Sequence, residues 1–169
     1  EPDAADVGVK ANWQNRPLTG FIQLPNTTAT AGKGQPLTLK PKLDETSLEH
    51  LRQRFSYIGP AWYQRSFKLP AAWHDKDVQL SLERVLWDSQ VWLNGRRVGD
   101  ADSLCTPHRF DLTPFLQPGE NVLTVRVDNR KKYDIGIPSA YTEETQTIWN
   151  GIIGRIALEA TDRVHPISR

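Results

Sequence analysis

A single cysteine, Cys105, stands in the 169 residues. Its isolation excludes an internal disulfide and a cysteine-based zinc site. His108 is its only near neighbour able to act as a base, and nothing else supports a catalytic pair. Cys105 therefore reads as a buried or half-buried structural thiol. An excess of charge of one sign is also missing. The chain carries 21 basic and 20 acidic residues, a net charge of +1. That balance gives no electrostatic footprint for nucleic acid or an anionic membrane, so neither is expected as a partner. No apolar run approaches the ~18 residues of a membrane span. The opening EPDAADVGVK has the pattern of neither a signal peptide nor a transit peptide. It is compatible with a removed leader or with an excised piece.

Catalytic signatures are absent as well. There is no G-x-S-x-G elbow and no H-E-x-x-H. TTATAGKG fails as a phosphate loop, because Thr27 stands at its first glycine and Gly34 where Ser or Thr should follow Lys33. His50, His74, His108 and His165 have no ligand spacing and read as surface or hydrogen-bonded histidines. No acidic loop has a diagnostic calcium spacing. No metal, no cofactor and no catalytic residue is expected in this chain.

What is present is alternation. VQLSLERV puts Val78, Leu80 and Leu82 on one face. NVLTVRVDN does the same with Leu123, Val125 and Val127, and GIIGRIALEA with Ile156, Leu158 and Ala160. In SQVWLNGRRVGD, Val91 and Leu93 precede Asn94-Gly95, the pair suited to a two-residue turn with positive φ at both positions. Thr113-Pro114 opens a one-turn helix. Several short strands with turn signals between them predict an all-β antiparallel sandwich. Leu80, Leu82, Val91, Leu93, Leu123, Val125, Val127, Ile156 and Leu158 are expected to be mostly buried. Residues 1–56 read as an irregular lead-in, with a short helix possible over 46–55 from Leu48, Leu51 and Phe55. Residues 161–169 turn polar and read as the start of a linker. The length suits one domain over 1–169.

Six tryptophans are many for this length. Flat indoles flanked by polar groups suit pyranose rings, although each one singly fits core or edge packing as well.

Taken in order, GPAWYQRSFKLP, VQLSLERV, SQVWLNGRRVGD, PHRFDLTPFLQPGENVLTVRVDN and TQTIWNGIIGRIALEA resemble the N-terminal sugar-binding domain of glycoside hydrolase family 2, the family of β-galactosidases, β-glucuronidases and β-mannosidases. FIQLPNTTATAGKG resembles the family's lead-in, with Asn26 in place of a glycine. The resemblance implies a galactose-binding-like jelly roll and a carbohydrate partner. It also implies immunoglobulin-like and barrel domains downstream in the same polypeptide, with the catalytic glutamates on the barrel. In several members this domain reaches over the barrel toward the sugar. The matching segment is YTEETQTIWNGI, which makes Glu143, Glu144, Thr147 and Trp149 the candidate substrate-binding residues. A periplasmic or secreted location is favoured if the enzyme degrades polysaccharide in a bacterium. Two functions compete: an accessory domain of a glycosidase, and a self-sufficient carbohydrate-binding module with an exposed aromatic platform.

Overall fold

The computed structural model describes residues 1–36, 54–134 and 149–163. Its strands are β1 (Asn26–Thr27), β2 (Gln35–Pro36), β3 (Phe55–Ser56), β4 (Pro60–Lys68), β5 (Lys76–Leu86), β6 (Asp88–Leu93), β7 (Arg96–Ala101), β8 (His108–Asp111), β9 (Glu120–Asp128) and β10 (Gly151–Asp162). Two four-stranded sheets, ordered β1-β10-β5-β8 and β4-β9-β6-β7, make the sandwich, and β2 pairs with β3 beside them. Every pairing is antiparallel. The fold is the antiparallel sandwich that the alternation predicts, of the jelly-roll kind that the resemblance implies.

The core lies between the sheets. Leu80, Leu82, Val91, Leu93, Val125 and Val127 are buried there with Phe110, Leu112 and Ile152. Leu123, Ile156 and Leu158, expected to be mostly buried, are only half-buried. They line a groove of about 410 Å³ where the sheets part between β4 and β10, together with Phe67 and Pro25. Their parity is inward, but the cover is thin there.

Asn94 (φ 54°) and Gly95 (φ 77°) form the two-residue turn between Leu93 and Arg96. The Asn94 side chain does more than turn the chain. Its amide donates to Phe115 O and Asn121 Oδ1, and its oxygen accepts from Val122 N at 2.9 Å. Thr113–Phe115 forms a single 3-10 turn with proline at its start. The Thr113 hydroxyl accepts from Val78 N at 2.9 Å, which ties that turn to β5.

In β5 the inward parity slips by one, from Leu82 to Val85. Opposite, Ile153 pairs with Arg84 and Ile156 with Leu82, leaving two β10 residues across from Glu83. Gly154 takes φ 72° in this bulge, and the Glu83 carboxylate accepts from Arg155 N at 2.6 Å. An extra residue in one strand re-aims the side chains on both sides of it.

The β4-β9-β6-β7 sheet is covered on its outer face by residues 1–16. Pro2 bridges to Ala61. Trp62 stacks on Trp92 at 5.1 Å and 27°, and Trp13 tilts against Trp62 at 6.0 Å. The Trp62 indole donates to Asp3 Oδ2 at 3.0 Å, and the Arg16 guanidinium sits 4.4 Å over Trp13. This is why four residues in a row, from Pro60 to Tyr63, are buried. Residues 1–16, irregular in sequence, are part of the packing.

Two further expectations change. Phe55 belongs to β3, opposite Pro36, while the remainder of the helix expected over 46–55 lies outside the described residues save Arg54. Cys105 is exposed rather than buried. Its loop, between β7 and β8, is held by Ser103, whose hydroxyl accepts from the backbone N–H of Cys105 and Thr106. That turn leaves Cys105 at the surface.

Candidate functional site at one end of the sandwich

The ends of β9 and β5 and the starts of β4, β6 and β10 meet at one end of the sandwich. Two asparagines knit them together. Asn150 is fully buried. Its amide donates to Gly59 O at 2.8 Å, and its oxygen accepts from the Tyr63 hydroxyl at 3.0 Å. Asn129, also fully buried, accepts from Gly59 N and donates to Tyr57 O and Trp149 O at 2.8–3.1 Å. Burial pushes the Tyr63 hydroxyl pKa upward, so it stays a neutral donor. A network with each member partnered fixes geometry because any vacancy inside it costs a desolvated polar group.

Beside it lies a run of charges. Arg126 is buried and pairs with Asp6 at 2.8 Å and Asp128 at 3.0 Å. Arg130 joins the same two carboxylates. Lys132 bridges Asp88 at 2.9 Å and Asp102 at 2.8 Å. For Asp6, burial pulls the pKa upward, but bonds from Arg130 and Arg126 outweigh it and the net direction is down. The Lys132 bond holds Asp102 below the usual carboxylate range. These aspartates are matched by cations. Among the described residues, no group of three or more His, Cys, Asp or Glu is placed to hold a metal.

Aromatic rings complete the end. Trp87 is buried and donates to Asp102 O at 2.9 Å. Tyr133 meets it edge-on at 5.9 Å and donates to Asp102 Oδ2. Trp149 is half-buried and packs on the Leu86–Trp87 pair. Of the four expected sugar-binding residues, Trp149 is thus at this end, and Glu143, Glu144 and Thr147 lie outside the described residues. Asp88, Asp102, Lys132 and Tyr133 escaped the reading of the sequence. The run DNRKKYD carries three of these charges, Asp128, Arg130 and Lys132, and the tyrosine, but as a string it reads as an ordinary solvated loop.

One pair here has the look of a nucleophile and its base. Ser89 Oγ lies 2.7 Å from His108 Nδ1. Both residues are buried, and His108 Nε2 faces Ser103 O at 2.8 Å. A carbonyl can only accept, so Nε2 carries the proton and Nδ1 accepts from the serine. The hydroxyl is sealed from any substrate, and the pair serves structure.

The six tryptophans decide between packing and display. Trp62, Trp87 and Trp92 are buried, Trp13, Trp73 and Trp149 are half-buried, and none is exposed. Phe21, 83% exposed, is the most exposed large hydrophobic residue among those described. It lines a cleft of about 750 Å³ between residues 18–24 and β4, with Lys33, Gln64 and Arg65.

Comparison with known proteins agrees with this architecture. The chain is 29% identical over 161 residues to a β-galactosidase of Priestia megaterium, covering 94% of this chain and 14% of that protein. It is 32% identical over 97 residues to a β-galactosidase of Thermoanaerobacter pseudethanolicus, covering 56% of this chain and 13% of that one. A β-glucuronidase structure from Bacteroides uniformis superposes with a TM-score of 0.62 at 27% identity, over 85% of this chain and 14% of that one. A β-glucuronidase from an uncultured Clostridium sp. shares the fold at TM-score 0.65 and 22% identity, over 96% of this chain and 27% of that one. The chain thus spans about a seventh of the length of the curated relatives it matches. Residues 2–160 match the profile described as "Glycosyl hydrolases family 2, sugar binding domain", and the chain belongs to that family.

Proposed function

We propose that this domain is a non-catalytic accessory part of a family 2 glycoside hydrolase, in which it shapes the substrate cleft over a barrel domain of the same polypeptide. The observation that carries this reading is the packing of the six indoles. A self-sufficient binding module needs an exposed aromatic platform, and here no tryptophan is exposed: Trp62, Trp87 and Trp92 are buried and Trp13, Trp73 and Trp149 are half-buried. The small share of the matched relatives that the chain covers supports the same reading. So does the anchoring of both flanks of residues 135–148 at one end of the sandwich.

In this reading Glu143, Glu144, Thr147 and Trp149 face the sugar. A carboxylate accepts hydrogen bonds from sugar hydroxyls, and an indole covers the apolar face of a pyranose. Protonation of the leaving group and nucleophilic attack belong to carboxylates of the barrel. The substrate is a β-glycoside, of galactose or glucuronic acid by analogy with the relatives. Half of the cleft lies outside this chain, so the 169 residues alone bind monosaccharide weakly, at millimolar levels or worse, roughly 4 kcal/mol or less.

The test uses the pure 169-residue chain. Aryl β-galactoside and β-glucuronide should show no turnover above buffer, and NMR titration with galactose and glucuronate should give millimolar or weaker binding. Turnover, or micromolar affinity, would overturn the accessory reading in favour of an independent enzyme or module.

A further inference from the structure

We propose that Lys132 and Tyr133 are positioning residues, which fix where the chain leaves the sandwich after β9 relative to where it returns at Trp149. The inference rests on the proposed function, because it is the sugar-facing segment between those points whose placement would matter.

The geometry has three parts. Lys132 Nζ bridges Asp88, the first residue of β6, and Asp102, just past the end of β7. One ammonium therefore staples the exit of β9 to both strands of the neighbouring hairpin. The Tyr133 hydroxyl donates to Asp102 Oδ2 at 2.9 Å, so the same carboxylate holds two consecutive residues. The Tyr133 ring meets Trp87 at 5.9 Å and 67°. Trp87 is buried, and its bond to Asp102 O stops it from turning. On the return side Trp149 packs on the Leu86–Trp87 pair, and its carbonyl accepts from Asn129. Both roots thus meet the Leu86–Trp87 pair, and the exit root is held in addition by the Asp102 carboxylate.

Stability alone does not account for this arrangement. Lys132 is a third exposed and Tyr133 about half exposed, and ion pairs in such positions add little to folding. Holding a lysine and a tyrosine in one rotamer costs side-chain entropy. What the arrangement supplies is a defined geometry, and small displacements of substrate-contacting groups cost rate steeply.

The experiment has two arms. In the 169-residue chain, Lys132→Met and Tyr133→Phe are compared by the indole N–H resonances of the six tryptophans. Trp149 and Trp87 should shift or broaden while Trp62 and Trp92 stay, and Lys132→Arg should restore the parental spectrum. In the longer polypeptide that carries this domain, kcat/KM for an aryl β-glycoside should fall roughly tenfold in Lys132→Met with the melting temperature held, and recover in Lys132→Arg. Unmoved Trp149 and Trp87 resonances overturn the inference whatever the enzyme does. If the resonances move but kinetics hold, parallel Glu143→Ala and Glu144→Ala variants assign the failure. Loss of kcat/KM in either glutamate variant, with Lys132→Met parental, overturns the positioning role and leaves the accessory reading standing. Parental kinetics in all three overturn the accessory reading and the inference with it. Tyr133→Phe removes a single oxygen, so one informative variant remains if Lys132→Met fails to fold.

Discussion

The two sheets of the sandwich face different surroundings. In the β1-β10-β5-β8 sheet, β5 buries Val78, Leu80 and Leu82 and leaves Gln79, Ser81 and Glu83 half-exposed. In the β4-β9-β6-β7 sheet, β9 is buried continuously from Thr124 to Asp128. The second sheet has a cover on each face: the core on one side, and residues 1–16 with Trp13 and Asp3 on the other. A sheet with one wet face alternates, and a sheet covered twice does not. The difference shows that residues 1–16 belong to the sandwich, and that outward-pointing Trp62, Trp92 and Arg126 are packed against chain rather than held out to a ligand.

Breaking the cover should have the largest effect. Trp62 is 1% exposed and holds the stack and the bond to Asp3. Trp62→Ala should cost about 3–5 kcal/mol by urea denaturation. Ser81→Ala, on the wet face of the other sheet, should stay within about 0.5 kcal/mol. Equal, small effects would mean that residues 1–16 do not seal the outer face. Gly95→Val comes next, at about 1–3 kcal/mol. The position has φ 77°, and an added Cβ would strike the Asn15 side chain, which belongs to the covering segment. A variant with parental stability would remove both the turn and this contact from the account.

His108 gives a smaller effect confined to one pH window. Burial holds its imidazole below the ordinary pKa of 6.5, against the opposing pull of Ser103 O, Asp88 and Asp102. The folded state thus prefers the neutral ring. Its contribution is fully present above pH 6.5 and is lost as pH falls from there through the folded pKa. Asp6 and Asp102, with carboxyls held below 3.8, lose theirs only in more acid solution. Denaturation at pH 7.5 and 5.5 should show the wild type weakening on acidification and His108→Gln weakening less. An identical slope in the two proteins would exclude His108 as the source.

Legibility followed the same division. The β5 alternation, the Asn94-Gly95 turn and the Thr113-Pro114 turn could be read because each is local and faces water on one side. The lead-in could not, because its cover is made of isolated contacts such as Asp3 with Trp62, far apart in sequence. Leu123, Ile156 and Leu158 had the right parity, but sequence does not show that the sheets part beside them. Cys105 followed the habit of its residue type until the Ser103 turn set it outside. At the candidate site, Trp149 came from the family resemblance. The charges did not, because Arg126 finds Asp6 across 120 positions and Lys132 finds Asp88 across 44, and no local pattern announces such pairs.

The most direct measurement sets the two regions against each other in the family 2 hydrolase proposed to carry this domain. Glu143→Ala, Glu144→Ala and Trp62→Ala are compared for kcat/KM on an aryl β-glycoside and for melting temperature. One or both glutamate variants should lose roughly 10- to 100-fold in kcat/KM, the worth of a charged hydrogen bond, with little change in melting temperature. Trp62→Ala should lose melting temperature and keep its kinetics below the transition. Parental kinetics in both glutamate variants, or a loss of kcat/KM in Trp62→Ala at full stability, would contradict the accessory reading.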